Sequence, residues 1–329
     1  MHTNKQKRHL KKIISRILLT VLPVYLLWCL YIEFFPLHYG SPTATRWHFI
    51  SRSLENPDDL PSVGHLFVGE SRLNAALDFN EIPGAYSLAS GGSTPIEMYY
   101  LFKKYIQVKT KPDTLFLSVS PRFLTEKFVF WHYAVRSNFF DYNEMKEIFR
   151  NADKFPEDTL LGNFPQGRYI LYRLNYPGYY QQDVQKNYGF RAYKRNTEMI
   201  RDMRRRKGGR AHGGLKSSCS ELNHETRYES FSPSPLLDYY LNELLNFCKT
   251  KDIPLIFLFM PMNQSSVQAL KPEFIKEYES YFKNMQKKFP EFELQHEIYA
   301  WPDSLFGDPS HLNHKGKERF TEEFLEQYF

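Results

Sequence analysis

Serine, histidine and aspartate together can run acyl transfer, and two short stretches of this sequence supply them. Ser71 stands in His65-Leu-Phe-Val-Gly-Glu-Ser-Arg-Leu73, directly after an apolar run that ends at a glycine. At the far end, Asp308-Pro-Ser-His311-Leu-Asn-His-Lys-Gly316 sets a carboxylate three residues before an imidazole. A serine nucleophile needs a base within hydrogen-bond reach, and the base needs a third group that fixes its tautomer. A turn between Asp308 and His311 lets the carboxylate accept from one ring nitrogen while the other faces outward. Plainer readings of the same residues exist: Ser71 as a helix N-cap, and Asn313 capping a helix entered by an ordinary turn. The nucleophile elbow Gly-x-Ser-x-Gly is excluded, because Leu73 occupies its second glycine. Asp308, His311 and His314 are also metal-ligand types, but no matching cluster lies elsewhere in the sequence, so neither metal nor cofactor is expected.

The elements that would carry these residues follow from periodicity. Leu66, Phe67 and Val68 read as a buried strand, with Gly69 allowing the tight turn that presents Ser71 at the strand's carboxyl end. Ala85–Leu88 reads as a second strand, followed by Ala89-Ser-Gly-Gly-Ser-Thr-Pro95, and the spacing of Met98, Leu101, Phe102 and Tyr105 predicts a helix over Ile96–Ile106. Thr114–Val119 is a third strand, stopped at Ser120-Pro121-Arg122 by proline. After an irregular region, Leu236, Leu237, Tyr240, Leu241, Leu244, Leu245 and Cys248 mark one face of a helix. A strand over Ile253–Met260, a helix over Lys271–Phe289, a strand over Phe292–Ile298 and a closing helix over Lys315–Tyr328 complete the pattern. Alternating strands and helices, several strands apolar throughout, predict an α/β domain with a parallel sheet covered on both faces. Ligands of such sheets bind at the carboxyl edge of the strands.

The net charge of +6 has one source. Six of the 43 Lys and Arg residues lie in residues 1–16, a stretch without acids, and the 37 that remain equal the 37 Asp and Glu. A charge excess confined to a tail gives no support to nucleic-acid binding. Behind it, residues 17–35 form an apolar run long enough, counted from Ile13, to cross a bilayer. Basic residues on its amino-terminal side predict a cytoplasmic tail and an extracytoplasmic remainder. No Ala-x-Ala-like cleavage site follows, which favours an uncleaved anchor over a signal peptide. Residues 36–61 read as a polar, proline-punctuated linker. The domain then spans 62–329, interrupted by an insertion at about 125–233. Within it, Arg201–Lys216 reads as an exposed mobile loop or as a basic lid over anionic lipid or glycan. Cys219 and Cys248 leave both readings open, paired or separately buried.

Gly69-Glu70-Ser71 after the first strand, the glycine turn after the second, and Asp308-x-x-His311 before the last helix resemble the SGNH (GDSL-like) hydrolase superfamily. That resemblance covers about residues 62–124 and 235–329. It implies a three-layer α/β/α fold with a central, mainly parallel sheet, and Ser71, Asp308 and His311 as catalytic residues. It also implies an oxyanion hole built from the serine N–H, a glycine N–H supplied by Gly91 or Gly92, and an asparagine after the third strand. Here Ser120-Pro121-Arg122 stands instead, so Ser120 or a donor from the insertion must substitute. Glu70 replaces the usual aspartate. Asn263, at the end of the strand over Ile253–Met260, and Arg122 are candidates for substrate contact. With its anchor, the chain is similar to the membrane-anchored branch that includes DltD-like and alginate-acetylation proteins. The similarity implies an esterase or acyltransferase acting on a cell-envelope polysaccharide, alongside a multi-span membrane acyltransferase. The rival expectation is a non-catalytic envelope assembly or glycan-binding protein that keeps the fold.

Overall fold

Alternation along two strands divides the core. In β1 (His65–Gly69), Leu66 and Val68 join one buried apolar cluster while Phe67 joins another. In β3 (Thr114–Ser118), Leu115 and Leu117 side with the first and Phe116 with the second. Successive strand side chains point to opposite faces, so the sheet is buried on both. In the computed structural model, which describes residues 4–38, 41–125, 130–156, 158, 160–174, 192–210 and 216–329, this sheet has five parallel strands. Their order is β2-β1-β3-β4-β6, where β2 is Ala85–Ser87, β4 Leu255–Phe257 and β6 Glu293–Leu294. The protein is thus α/β with a central parallel sheet.

The helices enter in chain order. Helix α1 (Asn4–Phe34) takes in the apolar run and the basic residues before it. Its stretch Gln6–Phe34 is long and apolar enough to cross a membrane, and its most apolar window is buried by nothing in the fold. Helix α2 (Pro42–Glu55) occupies the expected linker. Ser41 caps it by accepting from Ala44 N–H at 3.2 Å, Pro42 opens it, and Trp47, Phe49 and Ile50 are buried. Helix α3 (Ser71–Ala76) follows β1, α4 (Pro95–Val108) follows β2, and α5 (Pro121–Thr125) follows β3. Within the insertion lie α6 (Tyr142–Ala152), α7 (Pro165–Leu174) and α8 (Ala192–Arg205).

Helix α9 (Pro235–Thr250) buries the predicted face against α4, where the Tyr100 and Tyr240 hydroxyls meet at 3.4 Å. Next come β5 (Met262–Asn263), α10 (Gln264–Ala269) and α11 (Pro272–Lys288). Then β7 (Ala300–Trp301), β8 (Phe306–Asp308) and β9 (His311–Leu312) lead into α12 (His314–Tyr328). On the other face of the sheet, α12 sets Phe324 against Phe116, with ring centroids 5.1 Å apart.

Two expectations change, and one open reading closes. The strands foreseen over Ile253–Met260 and Phe292–Ile298 shrink to three and two residues, although Leu258 N–H still donates to the Leu117 carbonyl at 2.8 Å beyond the ladder. Arg201–Arg205 is the last turn of α8 rather than loop; Arg204 pairs with Asp59 at 3.2 Å, and Arg205 and Arg206 pair with Asp202. Residues 211–215 of that basic segment lie outside the described residues. Cys219 and Cys248 are both free and buried, in different core clusters on opposite faces of the sheet.

Candidate active site

Strand β1 delivers Ser71 to the carboxyl edge of the sheet, as its first helical residue. Gly69 does so by close approach, not by turning: a Cβ there would lie 2.6 Å from the Ser118 carbonyl oxygen of the neighbouring strand. Glu70 caps α3, its Oε2 accepting from Arg72 N–H at 2.9 Å. The capping expected of Ser71 therefore falls to its neighbour, and the Ser71 hydroxyl is left for another partner.

That partner comes from 240 residues away. His311 Nε2 lies 2.8 Å from Ser71 Oγ. On the ring's other side, His311 Nδ1 is 2.8 Å from Asp308 Oδ2 and 3.0 Å from Oδ1. The antiparallel pairing of β8 with β9 makes the turn that folds Asp308 onto His311. Asp308 Oδ1 also accepts from the backbone N–H groups of Ser310 and His311, at 2.8 and 2.9 Å, which locks the turn. Burial raises the Asp308 carboxyl, but bonding to His311 and to these N–H groups outweighs it and holds the group below its ordinary value. An ionised Asp308 fixes the proton on Nδ1, which leaves Nε2 as the acceptor for the Ser71 proton. Asn313 caps α12 by accepting from Gly316 N–H at 3.1 Å, so the helix-entry turn and the Ser-His-Asp arrangement coexist. His314 is exposed at the start of α12, and the described residues hold no group of three His, Cys, Asp or Glu suited to a metal ion.

Glu70 Oε2 lies 3.2 Å from Ser71 Oγ. One hydroxyl proton cannot serve both His311 and an ionised Glu70. Burial raises the Glu70 carboxyl above its ordinary value, against the pull of Arg72, and a protonated Glu70 removes the conflict. Arg72 is itself buried and pairs with buried Glu225 at 2.5 Å. Two buried carboxylates thus share one arginine, and Glu70 is the one without the direct ion pair.

The turn after β2 is fastened beside the serine. Ser90 N–H donates to the Gly69 carbonyl at 2.9 Å, and Asn74 Nδ2 donates to the Ala89 carbonyl at 2.8 Å. Of the two glycines, Gly91 faces Ser71, since a Cβ on it would lie 3.7 Å from Ser71 Cβ. Gly92 has φ of 75°, where glycine is favoured, and shapes the turn. Behind it, fully buried Arg46 from α2 donates to the carbonyls of Ser87, Ala89 and Gly208. Burial pulls this guanidinium down to about 9. Ser120, one residue past Val119 at the end of the third apolar run, is buried with its hydroxyl unpartnered among the described residues. Arg122 sits in α5, with its guanidinium 5.6 Å from the Phe123 ring centre. Asn263 is wholly buried; its Nδ2 donates to the carbonyls of Cys219 and Glu221, both at 3.0 Å, and its Oδ1 has no partner among the described residues.

Several participants carry no sequence signal. Arg46, Asn74, Arg72 and Glu225 belong to no motif, and the Arg72–Glu225 pair spans 153 positions. The insertion borders the site at both ends: Ser87 N–H donates to the Lys207 carbonyl, and Lys216 N–H to the Gly307 carbonyl. Comparison of the chain with protein-family models, with curated proteins and with solved structures found no match.

Proposed function

We propose that this chain is a membrane-anchored serine esterase or acyltransferase, acting outside the cytoplasm on an ester of a cell-envelope polysaccharide or related surface polymer. The observation that carries the reading is the continuous hydrogen-bonded line from Ser71 Oγ through His311 to Asp308 at the carboxyl edge of a parallel sheet. In this reading Ser71 attacks the acyl carbon as its proton passes to His311 Nε2, and the imidazolium returns that proton to the departing alcohol oxygen. A water or an acceptor hydroxyl then attacks the acyl-serine, its proton taken by the same nitrogen, and Ser71 recovers its own. Asp308 orients the ring and stabilises its cationic form. Gly91 N–H and Ser71 N–H serve the oxyanion.

Assignment to the SGNH superfamily and to its three-layer α/β/α fold belongs to the same proposal, supported by the order of the motifs and by the covered parallel sheet. The anchor supports a substrate made at the membrane, and with it a multi-span acyltransferase as partner. Basic residues before the apolar run support a cytoplasmic amino terminus. The test is a serine-directed fluorophosphonate applied to the full-length protein in membranes. Labelling that disappears in Ser71→Ala is expected. A wild-type protein that takes no label leaves the non-catalytic, glycan-binding reading in its place.

A further inference from the structure

The place where α1 meets the domain is fixed by contacts on both of its sides. Ile32, in the last turn of α1, is wholly buried, whereas Phe34 and Phe35, where the apolar run ends, are exposed. A row of rings leads away from there. Tyr31 and Phe35 have centroids 4.9 Å apart, Phe35 and His38 5.4 Å, and His38 meets Tyr193 of α8 at 4.7 Å. Aromatic side chains of this kind gather at the level of the lipid headgroups. Buried Asn196 closes the join, its Nδ2 donating to the Leu37 carbonyl at 2.8 Å. Leu37 is two residues past Phe35, a span of at most about 7 Å. The headgroup region reaches about 5–7 Å beyond the hydrocarbon, so the amino end of α8 lies at headgroup level.

Cations collect at that level. Arg195 Nε and Nη2 donate to Asn196 Oδ1 at 3.1 and 3.0 Å, which holds this guanidinium beside the join. Arg210 approaches it from beyond the other end of α8. It is only partly exposed and makes no ion pair or hydrogen bond among the described residues; burial and the Arg195 charge pull its guanidinium below its ordinary value. Arg210 in turn acts on buried Arg46, whose hydrogen bonds go to carbonyls and to Met203 Sδ, none to a carboxylate. Of the neighbouring cations, Arg204 is spent on Asp59, and Arg205 and Arg206 on Asp202. A buried charge without a counter-charge is costly, and an anion between Arg195 and Arg210 removes that cost.

The place of the pair indicates which anion. Arginine forks match phosphate oxygens, and phosphate is the anion present at headgroup level. We propose that Arg195 and Arg210 hold the phosphate of a phospholipid in the leaflet next to the domain, fastening the foot of α8 to the bilayer. This seat is independent of the chemistry at Ser71 and rests on α1 as the anchor. Two residues before Arg210, the Gly208 carbonyl accepts from Arg46, which also holds the Ala89 carbonyl. The lipid seat and the candidate active site therefore share one brace.

The experiment uses the full-length protein in a non-ionic detergent, with dioleoyl-phosphatidylglycerol as the probe and native mass spectrometry as the readout. Wild type should retain a phosphatidylglycerol that neither diacylglycerol nor inorganic phosphate displaces. Arg195→Gln and Arg210→Gln should each weaken retention about tenfold or more, the loss of a hydrogen bond to a charged group. Arg201→Gln, exposed on the same helix, should stay within about threefold of wild type. An equal loss there means diffuse surface attraction and overturns the seat, as does retention in Arg210→Gln equal to wild type. Displacement by inorganic phosphate assigns the arginines to a soluble phosphate and overturns it as well. A measurement on wild type alone needs no folded variant: in proteoliposomes, a phosphatidylethanolamine with a diazirine on its headgroup should mark residues 192–210. Marks confined to α1 overturn the inference. If alkaline carbonate releases the protein from membranes, the anchor reading has failed, and the lipid seat falls with it.

Discussion

Glu97 offers a quantitative test of how the turn carrying Gly91 is held. It sits in the first turn of α4, wholly buried, where its Oε2 accepts from Thr94 N–H at 2.9 Å and from the Thr94 hydroxyl. Its Oε1 has no partner among the described residues. Burial pushes this carboxyl up to about 7 from 4.5, and the Thr94 hydrogen bonds only moderate the rise. A carboxyl raised in the folded state binds a proton that the unfolded chain has already released. Stability therefore falls as pH rises from about 4.5 to about 7, and the loss is complete above that window. At 1.36 kcal/mol per pKa unit, the interval from 4.5 to about 7 corresponds to a loss of about 3 kcal/mol. Glu97→Gln keeps an acceptor for Thr94 N–H and carries no proton to lose. Relative to wild type it should be near neutral at pH 4 and more stable by up to about 3 kcal/mol at pH 8. Urea unfolding of the full-length protein in detergent at pH 4, 6 and 8 measures the difference, and shifts of other groups cancel between the two proteins. A difference that stays constant across this range would refute the reasoning.

Three further outcomes are expected. Ser71→Ala and His311→Ala should be about equally damaging to ester turnover and the double variant little worse, because the pair acts as a unit; Asp308→Ala should cost less, and additive losses would contradict the arrangement. Arg46→Met strands the carbonyls of Ser87, Ala89 and Gly208, so urea unfolding should show a loss of at least about 2 kcal/mol. Arg46→Lys should not restore it, because an ammonium lacks the planar fork; a Met variant as stable as wild type would remove Arg46 from its structural role. A reporter fused after Phe329 should be active outside the cytoplasm, and the purified protein should begin near Met1; a mature amino terminus mapped between residues 36 and 50 would sink the uncleaved anchor.

What could be read from sequence divides along physical lines. Leu66–Val68 and Leu115–Leu117 announce themselves because strands buried on both faces must be apolar throughout. The face of α9 is legible for the corresponding reason, its apolar residues recurring at helical spacing. Asp308 and His311 could be singled out because three residues are enough for one tight turn to join them. Helix α2 was missed because its buried side includes Thr45, Arg46 and Ser53, polar residues that blur the periodic signal. Arg46 can be buried only because carbonyls of two distant segments converge on it, a circumstance no local pattern records. Gly69 was assigned a turn when its task is to let β1 approach β3. Asn263 could be noticed for its place at a strand's carboxyl end, but that backbone carbonyls of the insertion take both hydrogens of its amide is beyond any local pattern.

The same reasoning changes the standing of the insertion. A surface excursion could be shortened at little cost, since loop closure depends only weakly on length. Here Glu225 neutralises Arg72, and side-chain exposures of 0% and 5% leave no water to take its place. Without Glu225, Arg72 would have Glu70 as its remaining buried carboxylate neighbour, and attraction to Arg72 favours the ionised form of Glu70. An ionised Glu70 beside Ser71 Oγ competes with His311 for the hydroxyl proton. Charge balance around Ser71 is therefore set in part by a residue 153 positions beyond Arg72. The stretch of the chain with the least regular pattern thus supplies the buried ion-pair partner of the residue next to Ser71.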